Sequence, residues 1–154
     1  MIYPFYRFQE AKFIVSILGP KAETIYKGKH GVSIKSDLSP NDVIMDDYVA
    51  IIIPGGYAPD KMRTNKEIVN LVQQAYEKKK VIAAICHGPQ LLIEADMVKG
   101  KKMTSYVSVS TDLKNAGAIY VNKSVVIDEN LVTSRYPADL PDFCLETIKL
   151  INQA

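Results

Sequence analysis

Apolar positions along the chain fall into two rhythms. Short apolar runs, Phe13 to Leu18, Tyr48 to Ile53 and Val81 to Ile85, have the length and β-branched content of strands. The other rhythm is helical. Asn65 to Lys79 puts Ile68, Val69, Leu71, Val72 and Ala75 on one side and Gln and Lys on the other. Ile2 to Glu10 reads as the end of a helix, and Gly88 to Glu94, Thr111 to Ala116 and Ala138 to Ile151 as further helices. Thr24 to Asp37, patterned around Gly28 and Gly31, predicts an extended excursion or hairpin, followed by a turn at Ser39-Pro40-Asn41-Asp42. Strands are predicted near Lys102 to Thr104, at Ser124 to Ile127 and at Leu131 to Ser134. The last two are joined by the turn residues Asp128-Glu129-Asn130.

This alternation of strand and helix argues for an α/β fold, a mostly parallel sheet with helices on both faces. Tyr48 to Ile53, unrelieved by charge, reads as a central strand buried on both faces. At 154 residues, with no repeat, low-complexity tract or linker, the chain reads as one domain spanning 1–154.

Composition narrows the function classes. Hydrophobic residues at 47% and charged residues at 23% are the balance of a soluble globular protein. A net charge of +2 is too small to imply nucleic acid. Lys78, Lys79 and Lys80 close a predicted helix, where cations meet the negative end of its dipole. No apolar stretch is long enough to cross a bilayer and Met1 opens no leader pattern, so a cytoplasmic protein is expected. Two cysteines, Cys86 and Cys144, are too few for a disulfide framework and fit a reducing compartment.

The chemistry concentrates in Val81 to Gln90. An apolar strand runs directly into Cys86, with the small Ala84 two residues before it and Gly88 two after. That spacing suits a nucleophile elbow, where the turn is too tight for bulky flanks and the nucleophile is pushed out above the sheet edge. The helix that follows presents unpaired N–H groups and its positive dipole end, which favours a thiolate. The His87 N–H is a candidate oxyanion donor, and the loop at Gly55 and Gly56 lets backbone approach a substrate for a second. A lone cysteine in an arbitrary chain is most often a small core hydrophobe; the strand, Cys-His-Gly and helix context reverses that for Cys86. Cys144, beside Phe143 and Leu145 in an amphipathic helix, reads as core. His30, in a Gly-flanked loop, reads as surface or turn packing. With His30 and His87 far apart and no ligand cluster, neither a metal nor another cofactor is expected.

Ala84-Ile85-Cys86-His87-Gly88-Pro89-Gln90 resembles the nucleophile motif of PfpI-type intracellular proteases and deglycases, which belong to the class I glutamine amidotransferase-like superfamily. Gly28-Lys29-His30-Gly31, Ile53 to Asp60, Thr104-Ser105-Tyr106 and Ser134 to Leu140 are similar to family segments in the same order, so the resemblance covers nearly the whole chain. It implies a flavodoxin-like three-layer α/β/α sandwich. It also implies catalysis by Cys86 paired with His87, and an acid from a neighbouring subunit that maps to Asp60, where archaeal protease members carry Glu. Tyr106 matches a tyrosine near the family's pocket. The implied assembly is a homo-oligomer, a dimer or hexamer, with Asp60 near another subunit's Cys86 and His87. The implied substrates are peptides or small carbonyl compounds, with no nucleic acid and no membrane partner.

One departure stands out. Family members begin with a strand and a loop carrying a glutamate that hydrogen-bonds the cysteine, and only then the helix that Ile2-Tyr3-Pro4-Phe5-Tyr6-Arg7 resembles. The chain therefore reads as N-terminally truncated, through a start codon assigned too late, a cut, or another way of filling that place. Loss of a central strand would leave two ladders unpaired, so stronger dependence on oligomerisation is expected.

The leading expectation is a cysteine-dependent hydrolase whose Cys86 thiolate attacks a peptide or α-oxoaldehyde-derived carbonyl, with glyoxalase-type activity within its reach. A redox or stress-response protein with an oxidisable Cys86 is the alternative from another class, and an inactive truncated remnant a third. A glutaminase is disfavoured, since His87 adjoins the cysteine and no synthetase domain is present.

Overall fold

The computed structural model describes residues 1–28 and 30–153. Helix α1 (Ile2–Glu10) buries Pro4 and Phe8. The run that follows it, Phe13 to Leu18, corrects the first expectation, for among the described residues it forms no ladder. Its one bridge joins Leu18 to Leu38 in parallel, and Ile14 is 99% exposed. Apolar β-branched sequence favours extended backbone, but a strand also needs a neighbour in register. Here that neighbour is met only at its end, where the Ile17 carbonyl accepts from Asp37 N–H at 2.8 Å.

The expected hairpin forms between β1 (Ile25–Lys27) and β2 (Ser33–Lys35), antiparallel. Lys29 of its Gly28 to Gly31 tip lies outside the described residues. The turn at Ser39 becomes a 3-10 segment, Pro40–Asp42, closed by the Asp42 carboxylate accepting from Ser39 N–H at 2.8 Å and Ser39 Oγ–H at 2.6 Å.

Next come β3 (Ala50–Ile53), the short α2 (Ala58–Met62), α3 (Lys66–Glu77), β4 (Val81–Ile85) and α4 (Pro89–Glu94). They are followed by β5 (Lys102–Met103), α5 (Ser110–Asn115), β6 (Ile119–Tyr120), β7 (Val125–Asp128), β8 (Leu131–Ser134) and α6 (Leu140–Ile151). Helix α2 and the two-residue β6 are too short to show a period, and the sequence pattern missed both.

The principal sheet has the order β3-β4-β8-β7, parallel except for the antiparallel β7–β8 hairpin. Strand β3 is thus an edge strand among the described residues, not the central one its composition suggested. Helices cover both faces of the sheet, and an apolar run records covered faces, not the number of flanking strands. Strand β4 is the centre, buried at all five positions. Its side chains alternate: Ile82 and Ala84 enter one core with Leu71, Leu92 and Leu113, while Val81, Ala83 and Ile85 enter the other with Phe8, Phe143 and Ile148. Helices α3, α4 and α5 supply the first core and α1 and α6 the second, which makes the molecule a three-layer α/β/α sandwich. No helix among the described residues is long and apolar enough to cross a membrane.

Candidate active site

The parallel strands β3, β4 and β8 end at the same level, and the chemistry gathers above their carboxyl ends. Cys86 follows the last residue of β4 and adopts φ +64°, a left-handed conformation rare for a non-glycine residue. Its N–H donates to the Ser134 carbonyl at 3.0 Å, and its carbonyl accepts from Tyr106 N–H at 3.0 Å. The turn is therefore tied to β8 on one side and to the β5–α5 connection on the other.

Small residues make this turn possible. A Cβ on Gly88 would stand 2.8 Å from the Ile53 carbonyl oxygen and 3.0 Å from the Ile85 backbone. One on Gly55 would lie 2.6 Å from Cys86 Cβ and 3.2 Å from its sulfur. Gly55 thus forms the wall beside the thiol, while Gly56, at φ +78°, has open space about it. Among the described residues, neither the His87 nor the Gly56 backbone N–H donates to a protein acceptor.

His87 Nδ1 is 3.2 Å from Cys86 Sγ. Its Nε2 is 3.3 Å from Ser108 Oγ, and its ring stacks on Tyr106 with centroids 5.3 Å apart at 26°. Both ring nitrogens and one ring face are accounted for, so the imidazole is held in one orientation. Ser108 was not among the residues singled out in the sequence. It lies two positions beyond Tyr106 in a 3-10 turn at Val107–Val109, and nothing in its local sequence separates it from any surface serine.

The structure therefore brings together Cys86, His87, Tyr106, Gly55 and Gly56. Asp60 is not joined to them: it is exposed in the first turn of α2, and among the described residues no hydrogen bond or ion pair links it to His87. His30 is exposed in the hairpin tip. Cys144 is fully buried in α6, where burial pushes its thiol up to about 11. Lys78 pairs with Asp46 at 2.7 Å and is a solvated helix end. Among the described residues no three His, Cys, Asp or Glu side chains converge where they could hold a metal ion.

A cavity of about 300 Å³ is lined by Tyr106, which stacks on His87, together with Arg135 and Tyr136. In the sequence Arg135 was visible only as part of a motif.

Residues 1–150 match the DJ-1/PfpI family. The chain is 40% identical over 151 residues to Deglycase PfpI of Pyrococcus furiosus, covering 98% of this chain and 90% of that protein. It is 41% identical over 148 residues to YraA of Bacillus subtilis, named a candidate cysteine protease, covering 96% of this chain and 88% of that one. Among solved structures, a two-domain protein of Anabaena variabilis containing DJ-1/ThiJ/PfpI-like and ferritin-like domains superposes with a TM-score of 0.95 at 43% identity. That superposition takes in 98% of this chain and 44% of the larger protein. The layer order, the chain-long match and these identities agree: the chain is a member of the DJ-1/PfpI family with its flavodoxin-like α/β fold.

Proposed function

We propose that this protein is a cysteine-dependent hydrolase of the deglycase and intracellular protease type, acting at a peptide or α-oxoaldehyde-derived carbonyl. The observation that carries the reading is the 3.2 Å contact between Cys86 Sγ and His87 Nδ1 at a left-handed strand-to-helix elbow. In this scheme His87 Nδ1 takes the thiol proton and the sulfur adds to the carbonyl carbon. The oxyanion is met by backbone N–H groups, those of His87 and Gly56 being without acceptors among the described residues. For a peptide, His87 then returns its proton to the leaving nitrogen, and water, deprotonated by the same imidazole, hydrolyses the thioester and restores the thiol; for an α-oxoaldehyde adduct, the imidazolium gives its proton to the amine as the hemiaminal C–N bond breaks. Ser108 keeps Nε2 engaged and Tyr106 covers the ring face, so the imidazole need not reorganise during transfer. The names of the relatives from Pyrococcus furiosus and Bacillus subtilis support the same class.

The decisive experiment measures release of amine from methylglyoxal adducts and cleavage of a fluorogenic peptide by the protein and by Cys86→Ala. The variant should lose about a thousandfold or more in kcat/KM. Equal turnover would remove Cys86 from the reaction.

Asp60, exposed and unpaired with His87 in its own chain, belongs in this scheme to the site of a second copy. Mixing Cys86→Ala with Asp60→Ala after partial denaturation and refolding should restore activity, since one site in each mixed pair then holds both groups. If Asp60 acted within its own chain, or not at all, mixing would restore none.

A further inference from the structure

The cavity beside the thiol–imidazole pair contains a charged group that the scheme above leaves unused. Its lining includes Ser105, Tyr106, Tyr120, Asn122, Arg135 and Tyr136. It adjoins the site through two residues. Tyr106 stacks on His87 and walls the cavity, and Arg135 follows Ser134, whose carbonyl receives the Cys86 N–H.

Arg135 is held rigidly. Its Nε and Nη2 donate to the two carboxylate oxygens of Asp139 at 2.9 and 3.2 Å, and its Nη1 donates to Asn122 Oδ1 at 2.9 Å. Asp139 is 6% exposed. The guanidinium carbon lies 4.8 Å from the centre of the Tyr136 ring, and the Tyr120 hydroxyl, donating to the Ser105 carbonyl at 3.3 Å, fixes the far wall. A guanidinium carries five N–H groups. Three are engaged among the described residues, which leaves one on Nη1 and one on Nη2. These two donors lie in one guanidinium plane and are available to a carboxylate, the planar anion that a guanidinium binds best. Because Asp139 already balances the charge, a ligand is selected by this geometry more than by net charge, and a planar monoanion fits better than a tetrahedral dianion. The fork is ordered before the ligand arrives, so binding costs little side-chain entropy.

We propose that this cavity is a substrate subsite in which Arg135 grips the carboxylate of a carbonyl compound or carbonyl adduct while its reactive carbon lies over Cys86. The proposal rests on Cys86 as nucleophile and adds the substrate class: carboxylate-bearing carbonyl species are preferred over neutral ones. Arg135 is then a specificity-determining residue.

The test compares methylglyoxal adducts of N-acetylarginine, which has a free carboxylate, and N-acetylargininamide, which has none. The protein should favour the first by about tenfold or more in kcat/KM, the value of one charged hydrogen-bond pair. Arg135→Lys, which keeps the charge beside buried Asp139 but not the fork, should bring the ratio close to one. Asn122→Ala, which leaves the Arg135–Asp139 pair intact, should lower the ratio severalfold. A second measurement needs no turnover: Cys86→Ala titrated by NMR with N-acetylglycine should shift the Arg135 Nε–H resonance, and N-acetylglycinamide should not. Equal kcat/KM for the two adducts, a preference that survives both variants, or no response to N-acetylglycine would each overturn the subsite. Binding of N-acetylglycine at Arg135 without turnover of either adduct would uphold the subsite and reject the catalytic reading instead.

Discussion

At the scale of single residues, strain and burial separate the two cysteines. Cys86 sits at φ +64°, a conformation that costs a non-glycine residue about 1 kcal/mol or more, and the costly angle aims its sulfur at His87. Cys86→Gly should therefore unfold at higher urea than Cys86→Ala, by up to about 1 kcal/mol, although both lose the thiol. A lower midpoint for the glycine variant would show that the turn stores no strain. Cys144 is the opposite case, a thiol with no exposure whose pKa burial raises from near 9 to about 11. The unfolded thiol ionises first, so the stability tied to the neutral form is intact below about 9 and is lost as pH rises from there through about 11. Denaturation midpoints across that range should fall less steeply for Cys144→Ala than for the parent. In the native protein near neutral pH, iodoacetamide should label Cys86 and leave Cys144 unmodified, as read by peptide mass spectrometry.

Among the elements, α3 shows how local sequence sets a boundary. Asn65 Oδ1 accepts from the N–H groups of Glu67 at 3.0 Å and Ile68 at 3.1 Å, which satisfies donors that the helix cannot pair itself. Asn65→Ala should cost about 1 kcal/mol and Asn65→Asp a few tenths at most, measured by urea denaturation. The helix buries Ile68, Leu71, Val72 and Ala75, four of the five apolar positions that its periodicity picked out, with Val69 half-buried. By contrast, Phe13 to Leu18 had a strand's composition and no strand's ladder. A helix completes its hydrogen bonds within one segment, and a strand depends on another segment's position. Local pattern therefore forecasts helices more securely than sheet order.

For the molecule as a whole, β4 is the shared wall of two cores, one with Leu92 and Leu113 and one with Phe143 and Ile148. Phe143 has no exposure, and Phe143→Ala should cost about 3 to 5 kcal/mol. Because both cores rest on one strand, near- and far-UV circular dichroism should still report one coincident transition; separate transitions would mean that the layers unfold independently. Among the described residues, the outer edge of β3 and the Phe13 to Leu18 segment lack ladder partners, and Ile14 is fully open to solvent. Unpaired edges of this kind favour association. Light scattering at micromolar concentration should give a mass above that of one chain, and a well-folded monomer there would count against it.

The sequence by itself determined the α/β class, most helix spans, the thiol at the end of an apolar strand and the small residues around it. Most of these depend on contacts within a few residues: helical period, cap chemistry, and the crowding of Gly88 against the Ile85 backbone just before Cys86. Tertiary structure alone decided that β3 lies at an edge among the described residues, that Ser108 holds His87, that Asp60 has no bond to His87 among those residues, and that Arg135 and Tyr106 line one cavity. Ser108 lies 21 residues from His87 and Asn122 lies 13 from Arg135, so those meetings depend on where β4, β8 and the loops above them are placed. Such placement is settled by how the layers pack, which no short stretch of sequence encodes.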